Sequence, residues 1–247
     1  IMQPSCNLIS LSNILHSPKH KLTFISNPKV ACSTIKNSLL GGFEGNVHKE
    51  AGRKFKLPED IDHEFFCLTR NPYSRALSCF KNKIGPSKEK NPNAVWHPFC
   101  NRFGFNRTMQ PSFEDFLKAL VEDNDPLSMD MHYRPQHFNL HQNDIEPSFI
   151  GRIENFTDVE DYLLDKHITI ISRNKHKTGS SKTYRDEITD DNAKLIEKFY
   201  EKDFDLYGYE KDLKDNFVPP TVVQMLRISH KYQGIFCSAQ QDMEATT

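Results

Sequence analysis

The chain has 247 residues, of which 37% are hydrophobic and 26% charged, the make-up of an ordinary soluble globular protein with room for one large α/β domain. A formal net charge of −1 argues against a general nucleic-acid or membrane-surface binder, so any bound anion must be held by local clusters. No apolar run approaches the ~20 residues of a transmembrane helix, and Pro4, Cys6 and the polar run from His16 to Lys21 interrupt any signal-peptide core. A single domain over 21–235 is expected, between an irregular polar tail at 1–20 and a C-terminal tail at 236–247.

The first structured segment is Lys21 to Leu40, KLTFISNPKVACSTIKNSLL. Leu22, Thr23, Phe24 and Ile25 predict a buried strand, Asn27-Pro28 breaks it, and Ser33-Thr34 suits the entry to a helix through Ile35, Leu39 and Leu40. A loop between a strand's carboxyl end and a helix's amino end collects backbone N–H groups that bind phosphate oxygens with help from the helix dipole. Lys29 and Lys36 add positive charge there. The segment is not a Walker A loop, because no glycine precedes Gly41 and Lys29 sits early in the loop. Gly41-Gly42 ends the helix, and Gly45 to Pro58 reads as a polar connection, with a short β-like piece at Asn46-Val47-His48 among basic residues.

His63 to Gly85 repeats the build. Glu64 to Thr69 predicts an apolar strand, Arg70-Asn71-Pro72 a turn, and Tyr73 to Lys83 a helix with Pro72 in its first turn. Arg70 stands at the strand end and Ser78 on the inner side of the helix, and an Arg fork with a hydroxyl makes a receptor for a phosphate dianion.

Together the two segments resemble the sulfotransferases that use 3′-phosphoadenosine 5′-phosphosulfate (PAPS), in particular the Golgi-type carbohydrate sulfotransferases and their bacterial relatives. In that family a P-K-x-[AG]-[CS]-[ST] loop holds the 5′-phosphosulfate and an R-[DN]-P-[FY]-x-R-x-x-S motif holds the 3′-phosphate. Pro28 to Thr34 and Arg70 to Ser78 match both, in order and about 40 residues apart. The resemblance covers most of 21–210 and implies an α/β, P-loop-NTPase-like three-layer fold with a central, mainly parallel sheet flanked by helices. It implies sulfuryl transfer from PAPS, as donor substrate, to a hydroxyl of a carbohydrate or glycoconjugate, with no metal called for. On that reading Lys29 serves the leaving 5′-phosphate, which the N–H and hydroxyl groups of Ala31, Cys32, Ser33, Thr34 and Ile35 hold, while Arg70 and Ser78 grip the 3′-phosphate. His48, between the two motifs where relatives often place a base, is the first choice to take the acceptor's proton, and His132 the second. Two alternatives stay open: a nucleotide-dependent kinase of P-loop-like fold, and a nucleotide- or glycan-binding module without turnover. The implied compartment is the cytoplasm for a bacterial chain, or the Golgi lumen, with an upstream membrane anchor, for a trimmed eukaryotic one.

Beyond Gly85, the stretch to Pro111 has no convincing period, and its Trp96, Phe99, Phe103 and Phe105 read either as anchors of a loop or as an acceptor lining. Ser112 to Asp115 opens a helix with a capping-box pattern and an apolar stripe of Phe113, Phe116, Leu117 and Leu120. Asp130 to His137 resembles the family's H-[WYF]-x-P-Q block, which implies that His132 faces the cleft with Arg134 nearby for an anionic group. The histidines at 132, 137 and 141 also invite a metal reading, which no H-E-x-x-H supports. Ser148 to Glu154 predicts a third strand, capped into a helix by Thr157 to Glu160. Within Arg173 to Arg185, a charged loop, the resemblance nominates Lys182, Thr183 and Arg185 for the 3′-phosphate and adenine. Thr189 starts a helix with Ala193, Ile196, Phe199 and Tyr200 on one face, the run from Asp203 to Tyr209 reads as packing, and Pro219-Pro220 precedes a last amphipathic helix from Val222 to Ile228. Six cysteines lie scattered without a C-x-x-C pair, which argues against a zinc ribbon or redox motif. The sequons at Asn106 and Asn155 carry information only in a secreted protein.

Overall fold

The computed structural model describes residues 13–55, 64–85, 94–140, 147–172 and 180–223. In chain order the strands are β1 (Ile14–Ser17), β2 (Leu22–Ile25), β3 (Glu64–Thr69), β4 (Phe149–Arg152) and β5 (Val222–Val223). The helices are α1 (Cys32–Leu39), α2 (Val47–Lys54), α3 (Pro72–Cys79), α4 (Trp96–Phe103), α5 (Phe113–Glu122), α6 (Gln136–Leu140), α7 (Phe156–Asp165), α8 (Ser180–Glu187), α9 (Asp190–Phe199) and α10 (Glu201–Tyr207). The sheet runs β1-β2-β3-β4-β5. Its three central strands are parallel and both edges antiparallel, so the expected α/β class with a mainly parallel sheet is what the chain adopts.

Alternation along β3 explains the three layers. Phe65 and Cys67 face one side, where they join Tyr73 and Leu77 of α3, Phe99 of α4, Phe116 of α5 and Ile196 of α9. Phe66 and Leu68 face the other, with Ile35 and Leu39 of α1, Ala51 of α2 and Val159 and Leu163 of α7. A strand buried on both faces reads as a continuous apolar run, and Glu64 to Thr69 does so. Gly151 permits the close seat of α7 on β4, since a Cβ there would meet Val159 Cγ2 at 2.6 Å.

The register sets the site. Ile25 pairs with Cys67 and Thr69 with Arg152, so the carboxyl ends of β2, β3 and β4 open on the same side of the sheet. That edge is where open α/β sheets bind ligands.

Four segments differ from the sequence expectation. Ile14–Ser17, assigned to the irregular tail, is an edge strand paired with β2. Gly45 to Pro58 holds a helix rather than a polar connection, because Asn46 caps α2 by accepting from His48 N and Lys49 N, both at 3.1 Å, and Val47 and Ala51 give a narrow buried stripe. The aperiodic 85–111 stretch contains α4, whose Trp96, Phe99 and Cys100 are buried at i, i+3 and i+4 before Gly104 (φ 71°) ends it. Val222–Val223, placed in a final helix, pairs with β4, and the rest of that predicted helix lies outside the described residues. Directly after α3 the chain takes a single π-helical turn, Phe80–Ile84, closed by Gly85 N donating to Phe80 O at 2.7 Å.

The capping box of α5 is complete: Ser112 Oγ accepts from Asp115 N at 3.0 Å while the Asp115 carboxylate accepts from Ser112 N at 3.0 Å. Ser112→Ala should therefore lower the unfolding free energy by about 1 kcal/mol, measured as a lower urea midpoint at unchanged slope.

Candidate active site

The loop between β2 and α1 is bent without glycine. Lys29 (φ 70°) and Ala31 (φ 56°) both adopt the left-handed conformation, which costs a residue with a Cβ about 1–2 kcal/mol. The bent loop leads directly into the amino end of α1, where unpaired N–H groups and the helix dipole favour an anion. Of the N–H groups nominated for the phosphate, those of Thr34 and Ile35 donate to Ala31 O at 2.9 and 3.1 Å. Ser33 Oγ lies 2.9 Å from His48 Nε2, and the Ile35 side chain is core.

The second corner is built by Asn71, whose side chain accepts from Tyr73 N at 3.0 Å and starts α3 with Pro72 in its first turn. Arg70 is buried, donating from Nε to Ser74 Oγ and from a terminal nitrogen to Lys29 O, both at 2.9 Å. The two motif corners are therefore in direct contact. Ser78 is buried further along α3. Arg75, to which the sequence reading gave no role, is buried as well and donates to Pro28 O at 3.3 Å, Arg134 O at 2.9 Å and Met131 O at 3.1 Å.

The Asp130 to His137 block supplies the tie between the corners. Gln136, fully buried, accepts from Asn27 Nδ2 at 2.9 Å and Arg70 N at 3.1 Å through Oε1, and donates to Arg70 O at 2.8 Å. Asn139 donates to Asn27 Oδ1 at 3.0 Å and accepts from Arg134 Nε at 2.6 Å. Arg134 thus points into this ladder and to Leu127 O, not toward an anionic acceptor as the sequence suggested. His137 Nδ1 lies 2.7 Å from buried Asp203, which also accepts from the first amides of α6, so Asp203 serves packing. His141 lies outside the described residues, among which no three His, Cys, Asp or Glu side chains gather to hold a metal.

Cations crowd the mouth. Lys29 Nζ donates to Asn82 Oδ1 at 3.0 Å, and Asn82 and Lys83 come from the π turn. Burial, with Arg70 and Lys83 adding to it, pushes the Lys29 ammonium down to about 8. Burial likewise lowers Arg70 to about 10 against the pull of Glu154, and lowers Lys36. Cations held below their usual range by desolvation recover on meeting an anion. Lys83 and Asn82 were not found from sequence, since helical spacing continued past Cys79 does not announce the extra residue of a π turn.

His48, in the first turn of α2, reaches the start of α1, with Nε2 2.9 Å from Ser33 Oγ and Nδ1 3.1 Å from Lys36 Nζ. His132 Nδ1 lies 2.7 Å from Asp130 Oδ1, with Lys29 and Lys83 near it. Of the three residues nominated after 173, Thr183 is exposed and donates to Glu187, and Arg185 donates to Asp215 O at 2.8 Å. The Lys182 side chain lies outside what the structure describes. Buried Tyr184 is the inward member of that segment, its ring 6.4 Å from that of Tyr73 on α3. Trp96 and Phe99 are core, which leaves the acceptor-lining reading without them.

Against known proteins, the family model described as "Sulfotransferase family" matches residues 12–210. Carbohydrate sulfotransferase 14 of Danio rerio is 26% identical over 230 residues, which cover 81% of this chain and 62% of that protein. Carbohydrate sulfotransferase 9 of Homo sapiens is 21% identical over 243 residues, with 81% and 54% covered. Carbohydrate sulfotransferase 14 of Mus musculus is 28% identical over 165 residues, with 58% and 43% covered. The chain spans about half the length of the curated relatives it matches. No solved structure matches it significantly.

Gln136→Leu would leave Arg70 N, Arg70 O and an Asn27 amide hydrogen without their partner. It should cost roughly 2–4 kcal/mol of stability, read from urea unfolding.

Proposed function

The chain belongs to the sulfotransferase family, and from that premise we propose that it moves a sulfuryl group from PAPS to a hydroxyl of a carbohydrate or glycoconjugate. The observation that supports this best is the contact between the two corners, Arg70 donating to Lys29 O at 2.9 Å, because a doubly phosphorylated adenosine needs receptors for two phosphates within the span of one nucleotide. A kinase needs no receptor for a 3′-phosphate, and this loop lacks the Walker glycines.

In the proposed reaction the acceptor oxygen attacks sulfur, the bond from sulfur to the bridging oxygen breaks, and the electron pair leaves with the 5′-phosphate of adenosine 3′,5′-bisphosphate. The chemistry asks for what phosphoryl transfer asks for, alignment of attacking and leaving oxygens and neutralisation of the charge that develops on the leaving phosphate. Lys29 supplies the neutralising charge, with the Ala31 to Ile35 stretch cradling the same phosphate. Arg70 and Ser78 hold the 3′-phosphate, and the segment with Lys182, Thr183, Arg185 and Tyr184 covers the nucleotide from α8. A histidine takes the acceptor's proton, with His48 and His132 as the two candidates from the sequence. The relatives are animal proteins, which supports the Golgi lumen as the compartment.

Lys29→Ala should reduce kcat by roughly 10²–10³-fold or more while Arg70→Ala mainly weakens nucleotide binding. Transfer of radiolabel from PAPS to a panel of desulfated glycosaminoglycans, beside calorimetry with adenosine 3′,5′-bisphosphate and with ADP, checks both. Wild-type turnover in Lys29→Ala would remove its role, and preference for ADP would favour the kinase.

Because burial holds free Lys29 at about 8 and a bound phosphate raises it, the complex takes up a proton near that pH. Nucleotide affinity should be full below pH 8 and fall as pH rises through it. Calorimetry in buffers of different ionisation heat reads the proton directly.

A further inference from the structure

We infer that His132 is the base that takes the acceptor's proton, and that Asp130 is the positioning residue that fixes its imidazole. This deepens the reading above and rests on it.

Asp130 Oδ1 accepts twice from the same residue, from the His132 backbone N–H at 2.9 Å and from the ring at Nδ1 at 2.7 Å. A carboxylate only accepts, so Nδ1 carries the hydrogen and Nε2 presents the lone pair. The turn that holds the ring is itself fixed. Tyr133 N and Arg134 N donate to Asp130 O at 3.2 and 3.0 Å, and Met131 O accepts from Arg75 at 3.1 Å and Asn139 at 3.0 Å. Arg75 also holds Pro28 O, so one guanidinium anchors both the His132 turn and the Lys29 loop. The His132 side chain is 27% exposed, which leaves an approach for an acceptor.

His48 is arranged the other way. Lys36, an ammonium, can only donate, so Nδ1 of His48 accepts at 3.1 Å and Nε2 carries the hydrogen toward Ser33 Oγ at 2.9 Å. That ring braces the start of α1 and offers no lone pair to an acceptor hydroxyl.

The charged groups facing His132 are Asp130 on its own turn, Lys29 from the loop after β2 and Lys83 from the π turn. Burial and the two lysines keep the ring neutral below its usual range, while Asp130 pulls the other way. Burial would raise Asp130, but the His132 ring and backbone N–H hold it ionised below the ordinary carboxylate range. In the step itself the acceptor O–H gives its proton to Nε2 as the oxygen bonds to sulfur, and the leaving bisphosphate carries away the electron pair of the broken bond.

The test uses the full chain with three variants, His132→Ala, Asp130→Asn and His48→Ala. Each is first shown to bind adenosine 3′,5′-bisphosphate. His132→Ala should lose about 10²–10⁴-fold in kcat with nucleotide affinity within about twofold of wild type. Asp130→Asn should lose about tenfold or more, because a neutral amide oxygen at Nδ1 still orients the ring but stabilises the imidazolium far less than a carboxylate does. Removing the anion also lowers the ring's proton affinity, so the acidic limb of the kcat/KM profile moves to lower pH. A long-range ¹H–¹⁵N spectrum should report Nδ1–H in wild type. His48→Ala should weaken nucleotide binding and leave the acidic limb in place. Wild-type kcat in His132→Ala, or an acidic limb that disappears with His48 instead, overturns the assignment and leaves sulfuryl transfer standing. A wild-type chain that binds the bisphosphate yet transfers to no acceptor overturns the transfer reading and the base with it.

Discussion

The Gln136 amide is the contact that ties the two strand ends of the site together. One side chain accepts from Asn27 after β2 and from Arg70 N after β3, and donates back to Arg70 O, so two strand ends far apart in sequence share one buried partner. Asn139 continues the ladder from Asn27 to Arg134. Arg75 adds a second tie from Pro28 to Met131 and Arg134. Such a network is strong only when complete, because each buried polar group left without a partner costs about 1–3 kcal/mol. The parallel register brings the loops to one edge, and the ladder sets them at hydrogen-bonding distance.

That framework carries strain and charge that an isolated loop could not. Two residues with side chains sit in left-handed conformations at Lys29 and Ala31, and three desolvated cations, Lys29, Lys36 and Arg70, are held below their usual proton affinity. A cation that burial holds below its usual proton affinity is favoured by an anion brought beside it, whereas the left-handed backbone stays strained either way. On the function proposed above, the desolvation of these cations is the cost that a bound phosphate offsets.

The parts legible in the sequence were those written in a period or a turn. Leu22–Ile25, Glu64–Thr69 and Phe149–Arg152 appear as apolar runs bounded by Asn, Pro and Ser, and the corners after the first two carry the motifs. Edge strands were less visible, because Ile14–Ser17 is short, broken by His16, and defined by its partner rather than by its own pattern. The helix at Val47–Lys54 exposes most of its residues, and that at Trp96–Phe103 shows only one repeat of buried positions. Least visible were the polar contacts across the chain: nothing in the letters near Gln136 or Arg75 says that they meet Asn27 or Pro28, because a side-chain ladder between distant segments has no spacing rule.

The π turn at Phe80–Ile84 has a consequence for anyone borrowing this corner. One surplus residue rotates the chain by about 100° relative to a regular helix, and that rotation aims Asn82 at the Lys29 ammonium. Transplanted onto an idealised helical scaffold, the same letters would project their amide and amine in another direction. Shortening the segment by a single codon would repair the helix and misdirect its side chains. Sequence alignments that score this stretch as ordinary helix will accordingly rank such a deletion as harmless.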